Sequence, residues 1–265
     1  MLSPQESNPR NDHAMSIDLT YHAHVAEISL NNPDKRNVLD LETSTALKSA
    51  VEQASDNPET KAILLTATGR AFCAGGSLDE LLSAQEDTTQ LGAIYEGFLA
   101  VARCPIPTLA CVQGAAVGAG MNLALACDVR LVAPEASFDT RFLQLGIHCG
   151  GGHSWLLQRT LNWEQAVNAL LLSQVLRGEE AVSAGLALAC VPQAELHERA
   201  LQQLQHLASV PRQLLEHSKA SLLKAASVPD HATMVAHEYD VQAWSLQQPH
   251  AIETLQNLKR QIAGR

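Results

Sequence analysis

The sequence predicts an α/β fold, and three observations carry that prediction. Short apolar runs of strand type alternate with helix-periodic segments over most of the chain. Two of those runs end in glycine-rich turns that open directly into a helix, at 69–80 and 112–123. From about residue 196 onward only helical periodicity remains. The division expected from these signals is a flexible N-terminal tail at 1–15, an α/β core at 16–195 and a helical region at 196–265.

Along the chain, Ala26, Ile28 and Leu30 alternate with Glu27 and Ser29, the period of a half-buried strand, and NNPDKRN supplies turn chemistry after it. Asp40 is placed to cap a helix whose apolar face is Leu47, Ala50, Val51 and Ala54. AILLTA (62–67) reads as a buried strand closed by Gly69, and AFCAGGSLDELL follows as a glycine pair and a helix start. The pattern then recurs: TLACVQG as strand, small residues, MNLALAC as helix, and DVRLVA as strand. LALACV (186–191) reads as one more buried strand, and the segments from Ser209 and from His231 read as helices.

From Cys104 to Cys127 the chain carries 24 residues without a formal charge, long enough for a bilayer span. Pro105, Pro107, Gln113, Asn122 and three central glycines argue instead for a strand, a turn and a helix in series. Eighteen basic residues against 28 acidic ones, without a basic run, exclude nucleic acid and an anionic membrane as expected partners. Six scattered cysteines without a paired spacing fit free thiols in a reducing cytoplasm. The first fourteen residues lack the apolar stretch of a secretion signal.

A glycine turn between strand and helix leaves backbone N–H groups unpaired at the helix start, where the dipole favours negative charge. One such junction serves tight packing as readily as anion binding; two N–H groups converging on one oxygen form an oxyanion hole.

NNPDKRNVLD, AFCAGGSLDEL, the stretch from Pro107 to Gly120, LALACDVRLVAPEASF and LGIHCGGGHSWLLQR together resemble the crotonase family, the enoyl-CoA hydratases and isomerases. The resemblance covers nearly all of the chain from Ser16. It implies a spiral of β-β-α repeats followed by a C-terminal helical trimerisation region, with homotrimers often paired as hexamers. It also implies an acyl-CoA substrate whose thioester enolate is stabilised by two backbone N–H groups, assigned by position to Ala74 and Ala119. No cofactor is implied beyond the coenzyme A carried on the substrate. The ligand is expected along Lys35, Arg36, Asn37 and Val38, with Phe72, Gly75, Gly76, Ser77, Leu78, Gly118, Arg141 and Gly150 around it. Lys35 and Arg36 suit the CoA phosphates or serve as solvated turn charges, and Lys219 and Lys224 lie on helices where relatives place basic residues toward CoA.

The chain departs from the family where the chemistry is done. The positions of the two hydratase glutamates hold Asn122 and Phe142, and Ser77 stands where many relatives have aspartate. An amide cannot exchange a proton near neutral pH, and a phenyl ring cannot do so at all. Replacement groups are Asp139, which also suits an ion pair with Arg141, and His148, with His153 behind it. No metal site is expected, since His148 and His153 flank glycines rather than share a helix face, and a Cys149 thiol mechanism is not expected either. The expected function is acyl-CoA chemistry on a non-standard set of groups; the alternative is a non-catalytic acyl-CoA-binding carrier or regulatory protein.

Overall fold

In the computed structural model, which describes residues 16–263, the chain repeats a strand–strand–helix unit. The expected tail at 1–15 lies outside the described residues. β1 (Ile17–His22) and β2 (Val25–Leu30) lead to α1 (Leu41–Asp56). β3 (Ala62–Ala67) and β4 (Ala71–Cys73) lead to α2 (Leu78–Ser83) and α3 (Thr89–Arg103). β5 (Thr108–Val112) and β6 (Ala115–Val117) lead to α4 (Ala119–Ala126). β7 (Val129–Val132) and β8 (Ser137–Asp139) lead to α5 (His153–Thr160) and α6 (Trp163–Leu170). β9 (Leu176–Arg177), α7 (Gly178–Ser183) and β10 (Ala189–Cys190) end the sheets, and α8 (Gln193–Gln205), α9 (Arg212–Ala225), α10 (His231–Leu246) and α11 (Pro249–Ala263) complete the chain.

The strands sort into two sheets. One has the order β1-β2-β3-β5-β7-β10 and is parallel apart from the β1–β2 hairpin; the other has the order β4-β6-β8-β9. After the β1–β2 hairpin, the two strands of each later unit fall in different sheets, so the chain winds as a β-β-α spiral. Both faces of the large sheet are covered, which explains why AILLTA is apolar apart from Thr66. Ala26, Ile28, Ile63 and Leu65 join the main core with α1, α3 and α4. The alternate residues Val25, Ala62, Leu64 and Leu109 pack under Leu196, Ala200 and Leu204 of α8. Helix α8 starts at Gln193 and is a layer of the core, so the change to helices at 196 is not a packing boundary. Phe72, Phe98 and Phe138 are wholly buried, each worth about 1.5–3 kcal/mol of apolar transfer.

Asp40 caps α1 by accepting from Thr43 N–H at 2.8 Å, and all four expected apolar residues of that helix are buried. The uncharged run divides into β5, β6 and α4, and among the described residues no helix is long and apolar enough to cross a membrane. The stretch at 186–191 is a correction: only Ala189–Cys190 pairs as strand, because Leu186 and Ala187 are buried in the turn that leaves α7. β1, β4 and β6 were not expected. The last two are three-residue strands of small side chains with no alternation to read.

Candidate active site

Three parallel strands of the small sheet end side by side. β4 pairs with β6 through Ala71↔Ala115, and β6 pairs with β8 through Val117↔Asp139. Their C-terminal ends deliver Gly75–Gly76, Gly118–Ala119 and Arg141–Phe142 to one edge. The first two turns touch: a Cβ on Gly120 would stand 2.2 Å from Cys73 O, and one on Gly75 would stand 4.0 Å from Ala119 N. Gly120 is therefore small because the neighbouring strand end occupies the space. Gly118 has φ 51° and ψ −112°, a conformation closed to side chains with a Cβ, and it turns β6 into α4 so that Ala119 N–H opens the helix.

Which amides are available follows from their hydrogen bonds. Ala74 N–H donates to Arg36 O at 3.0 Å, so it is spent on holding the 35–39 loop against the β4 turn. This overturns the placement of an oxyanion donor at Ala74. Leu39 N–H donates to Gly75 O and Ser77 N–H to Leu39 O, extending the same seam. Among the described residues, Gly76 N–H and Ala119 N–H have no hydrogen-bond acceptor. They are two such donors, one from each of the two touching turns. Ser77 caps α2 by accepting from Glu80 N–H at 3.4 Å, the role expected of it.

The third strand end brings a histidine. Asn122 Nδ2 donates to Gly150 O at 3.0 Å, which orients the amide and points Oδ1 at His153 Nδ1, 2.7 Å away. An amide oxygen only accepts, so His153 carries its proton on Nδ1 and leaves a lone pair on Nε2. That Nε2 is buried and has no partner among the described residues. Only 1% of His153 is exposed, and burial pushes its pKa down to about 4, within the ordinary range of a carboxylate. The Phe142 ring covers the imidazole edge-on, with centroids 5.0 Å apart.

The profile of the enoyl-CoA hydratase/isomerase family matches residues 20–261. The chain belongs to that family. A probable enoyl-CoA hydratase of Mycobacterium tuberculosis is 41% identical over 238 residues, 87% of this chain and 92% of the relative. The 1,2-epoxyphenylacetyl-CoA isomerase of Escherichia coli is 33% identical over 195 residues, 71% and 74% of the two chains. The crystal structure of an enoyl-CoA hydratase from Bacillus anthracis superposes with a TM-score of 0.87 at 28% identity, covering 93% of this chain and 96% of that one. Enoyl-CoA hydratase/isomerase membership supports acyl-CoA processing.

The remaining site residues of this hydratase/isomerase-family chain separate into those near the edge and those elsewhere. Asp139 is buried and paired with Arg141, whose backbone N–H and Nε both reach it at 2.9 Å. Arg141 sits at φ 57°, so a left-handed turn makes the pair and the segment is not extended as expected. The hydrogen bonds that Arg141 donates to Asp139, followed by the carboxylate's charge, raise the Arg141 pKa. This engaged carboxylate is not a free acid or base. His148 is exposed and turns Nδ1 to its neighbour Cys149 O at 2.7 Å, whereas His153 is buried. Phe72 belongs to the core rather than to a ligand wall. Lys35 and Arg36 are exposed on a 3-10 turn, Asn37 is pinned by Thr68 O and Ala71 O, Val38 is half-buried and Leu78 is exposed. Lys219 is buried against Asp128, 2.6 Å away, and Ile106 O, so it faces the core rather than a ligand; Lys224 contacts His237. Cys73 is wholly buried, which pushes its thiol up to about 12 and makes it inert.

Proposed function

We propose that this chain is an acyl-CoA isomerase that shifts a double bond with a single base. Gly76 N–H and Ala119 N–H hold the thioester oxygen of a 3-enoyl-CoA. His153 Nε2 removes a proton from C2, and the electron pair spreads to that oxygen as a dienolate. The imidazolium returns the proton to C4, giving the conjugated 2-enoyl-CoA with no other reactant. The buried, unpartnered Nε2 with its tautomer set by Asn122 carries this reading. Hydration additionally requires groups that hold a water. Both polar atoms of Asn122 are already engaged, and Phe142 offers none. Since Phe142 covers the imidazole, its ring swings aside when substrate enters. Exposed Leu222, Leu223, Val235, Tyr239, Ile252 and Leu255 on α9–α11 support assembly as a homotrimer or homohexamer.

The test offers the protein 3-enoyl- and 2-enoyl-CoA separately and follows conjugated-thioester absorbance and product mass. Expected are conversion of the 3-enoyl substrate without hydration and a loss of roughly 10²–10⁴ in rate for His153→Gln. A hydrated product, or isomerisation indifferent to that substitution, refutes it. Binding of both thioesters with turnover of neither establishes the carrier alternative, which Phe142 at a glutamate position favours.

A further inference from the structure

Away from this edge, three side chains converge on one point of the opposite side of the large sheet. Glu27 lies on β2 opposite Thr20 of β1, so His22, two residues further along β1, shares its face. α8 packs on that face and contributes His197. His22 Nε2 and His197 Nε2 both meet Glu27 Oε2, at 2.7 and 2.9 Å, and the three atoms lie within 4.8 Å of one another. Thr66 Oγ1 donates to the other carboxylate oxygen at 2.9 Å and fixes its orientation. A cavity of about 330 Å³ adjoins the cluster, lined by Glu27, His197, Thr66, Thr68 and Gln113 among others. The buried Oε1 of Gln113 has no partner among the described residues.

We infer that His22, Glu27 and His197 form a binding site for a divalent transition-metal cation of the zinc type. Two imidazoles and a carboxylate are the donor set such ions select, and too nitrogen-rich for magnesium or calcium. Ligand atoms about 2.0–2.1 Å from zinc at tetrahedral angles stand roughly 3.3 Å apart, so each histidine–carboxylate contact opens by about half an ångström to admit the ion. Each histidine moves its remaining proton to Nδ1. Thr66 supplies the outer hydrogen bond that holds a ligating carboxylate, and the fourth position faces the cavity. Residues 5 and 170 apart in the chain make the site, which is why the spacing of histidines along the sequence pointed to no metal. Bound there, the ion fastens α8 to the β1–β2 hairpin.

The experiment titrates Zn²⁺ calorimetrically into the metal-stripped full chain, with any affinity tag removed, in a non-chelating buffer near pH 7.5. One saturable equivalent is expected, with at least a tenfold loss of affinity in His22→Gln and in His197→Gln. Both residues are at least 42% exposed, so metal-free melting of the variants should match the parent, while the zinc-dependent rise in Tm disappears. Absence of saturable binding, or affinity that both substitutions leave unchanged, overturns the inference. Neither residue touches the acyl-CoA edge, so the outcome is independent of the isomerase proposal.

Discussion

Acidification should unfold this protein partly through His153, and the contribution can be worked out. The imidazole has a pKa of about 4 in the folded chain against 6.5 when solvated, because burial disfavours its cation. Between those values the unfolded state binds the extra proton and the folded state does not, so stability falls as pH falls. The contribution is intact above pH 6.5 and is lost progressively down to about pH 4. A shift from 6.5 to about 4, at 1.36 kcal/mol per unit, amounts to about 3 kcal/mol. The assay is urea unfolding at pH 7, 6, 5 and 4 for the parent and for His153→Gln, whose amide still donates to Asn122 but does not titrate. Other acidic-range groups cancel in the difference between the two proteins. That difference should move in favour of the variant by about 1.4 kcal/mol per pH unit between roughly pH 6 and 4. A pH-independent difference would refute the claim that His153 is held neutral by burial. A constant offset from imperfect packing leaves the slope untouched.

Ala119→Pro removes one donor at the first position of α4, where proline is tolerated; turnover of CoA thioesters should fall by ~10²–10³ with little change in Tm. Gly120→Ala drives a methyl toward Cys73 O, 2.2 Å from its ideal position, and should cost about 1–3 kcal/mol in chemical denaturation while also disturbing the edge. Lys219→Ala removes the ion pair with Asp128, which keeps its bonds from Thr108 N–H and Oγ1, and leaves Ile106 O unpaired; a loss of about 1–3 kcal/mol with unchanged acyl-CoA affinity is expected, and weakened binding at full stability would place this lysine on the ligand after all.

Local signals were legible and long-range ones were not. Asp40 before an apolar 3.6-residue period, and a doubly apolar run at 62–67, read correctly because cap and burial are decided within a few residues. The strand ends of the site were legible as glycine turns, yet the short strands β4 and β6 were hidden among small side chains. The Ala74 amide, assigned by position as a free donor, is occupied by a partner 38 positions upstream, Arg36 O. No local pattern reveals that. His148 and His153 flank one glycine turn, yet only His153 is buried and oriented, by Asn122 31 residues before it. Asp139 and Arg141 were rightly open to an ion-pair reading, although the left-handed backbone at Arg141 brings them together differently from an extended strand.

The spiral distributes labour among its turns. The second and third units hold Gly76 and Ala119 by main-chain bonds that tolerate many side-chain identities, while the loop after the fourth unit's strands supplies Phe142 and His153. On the isomerase proposal the proton-handling set therefore straddles two turns of the spiral, the 142–153 loop and Asn122 on α4, which aims its imidazole. Refitting this scaffold for new chemistry means exchanging that loop together with the residue at 122.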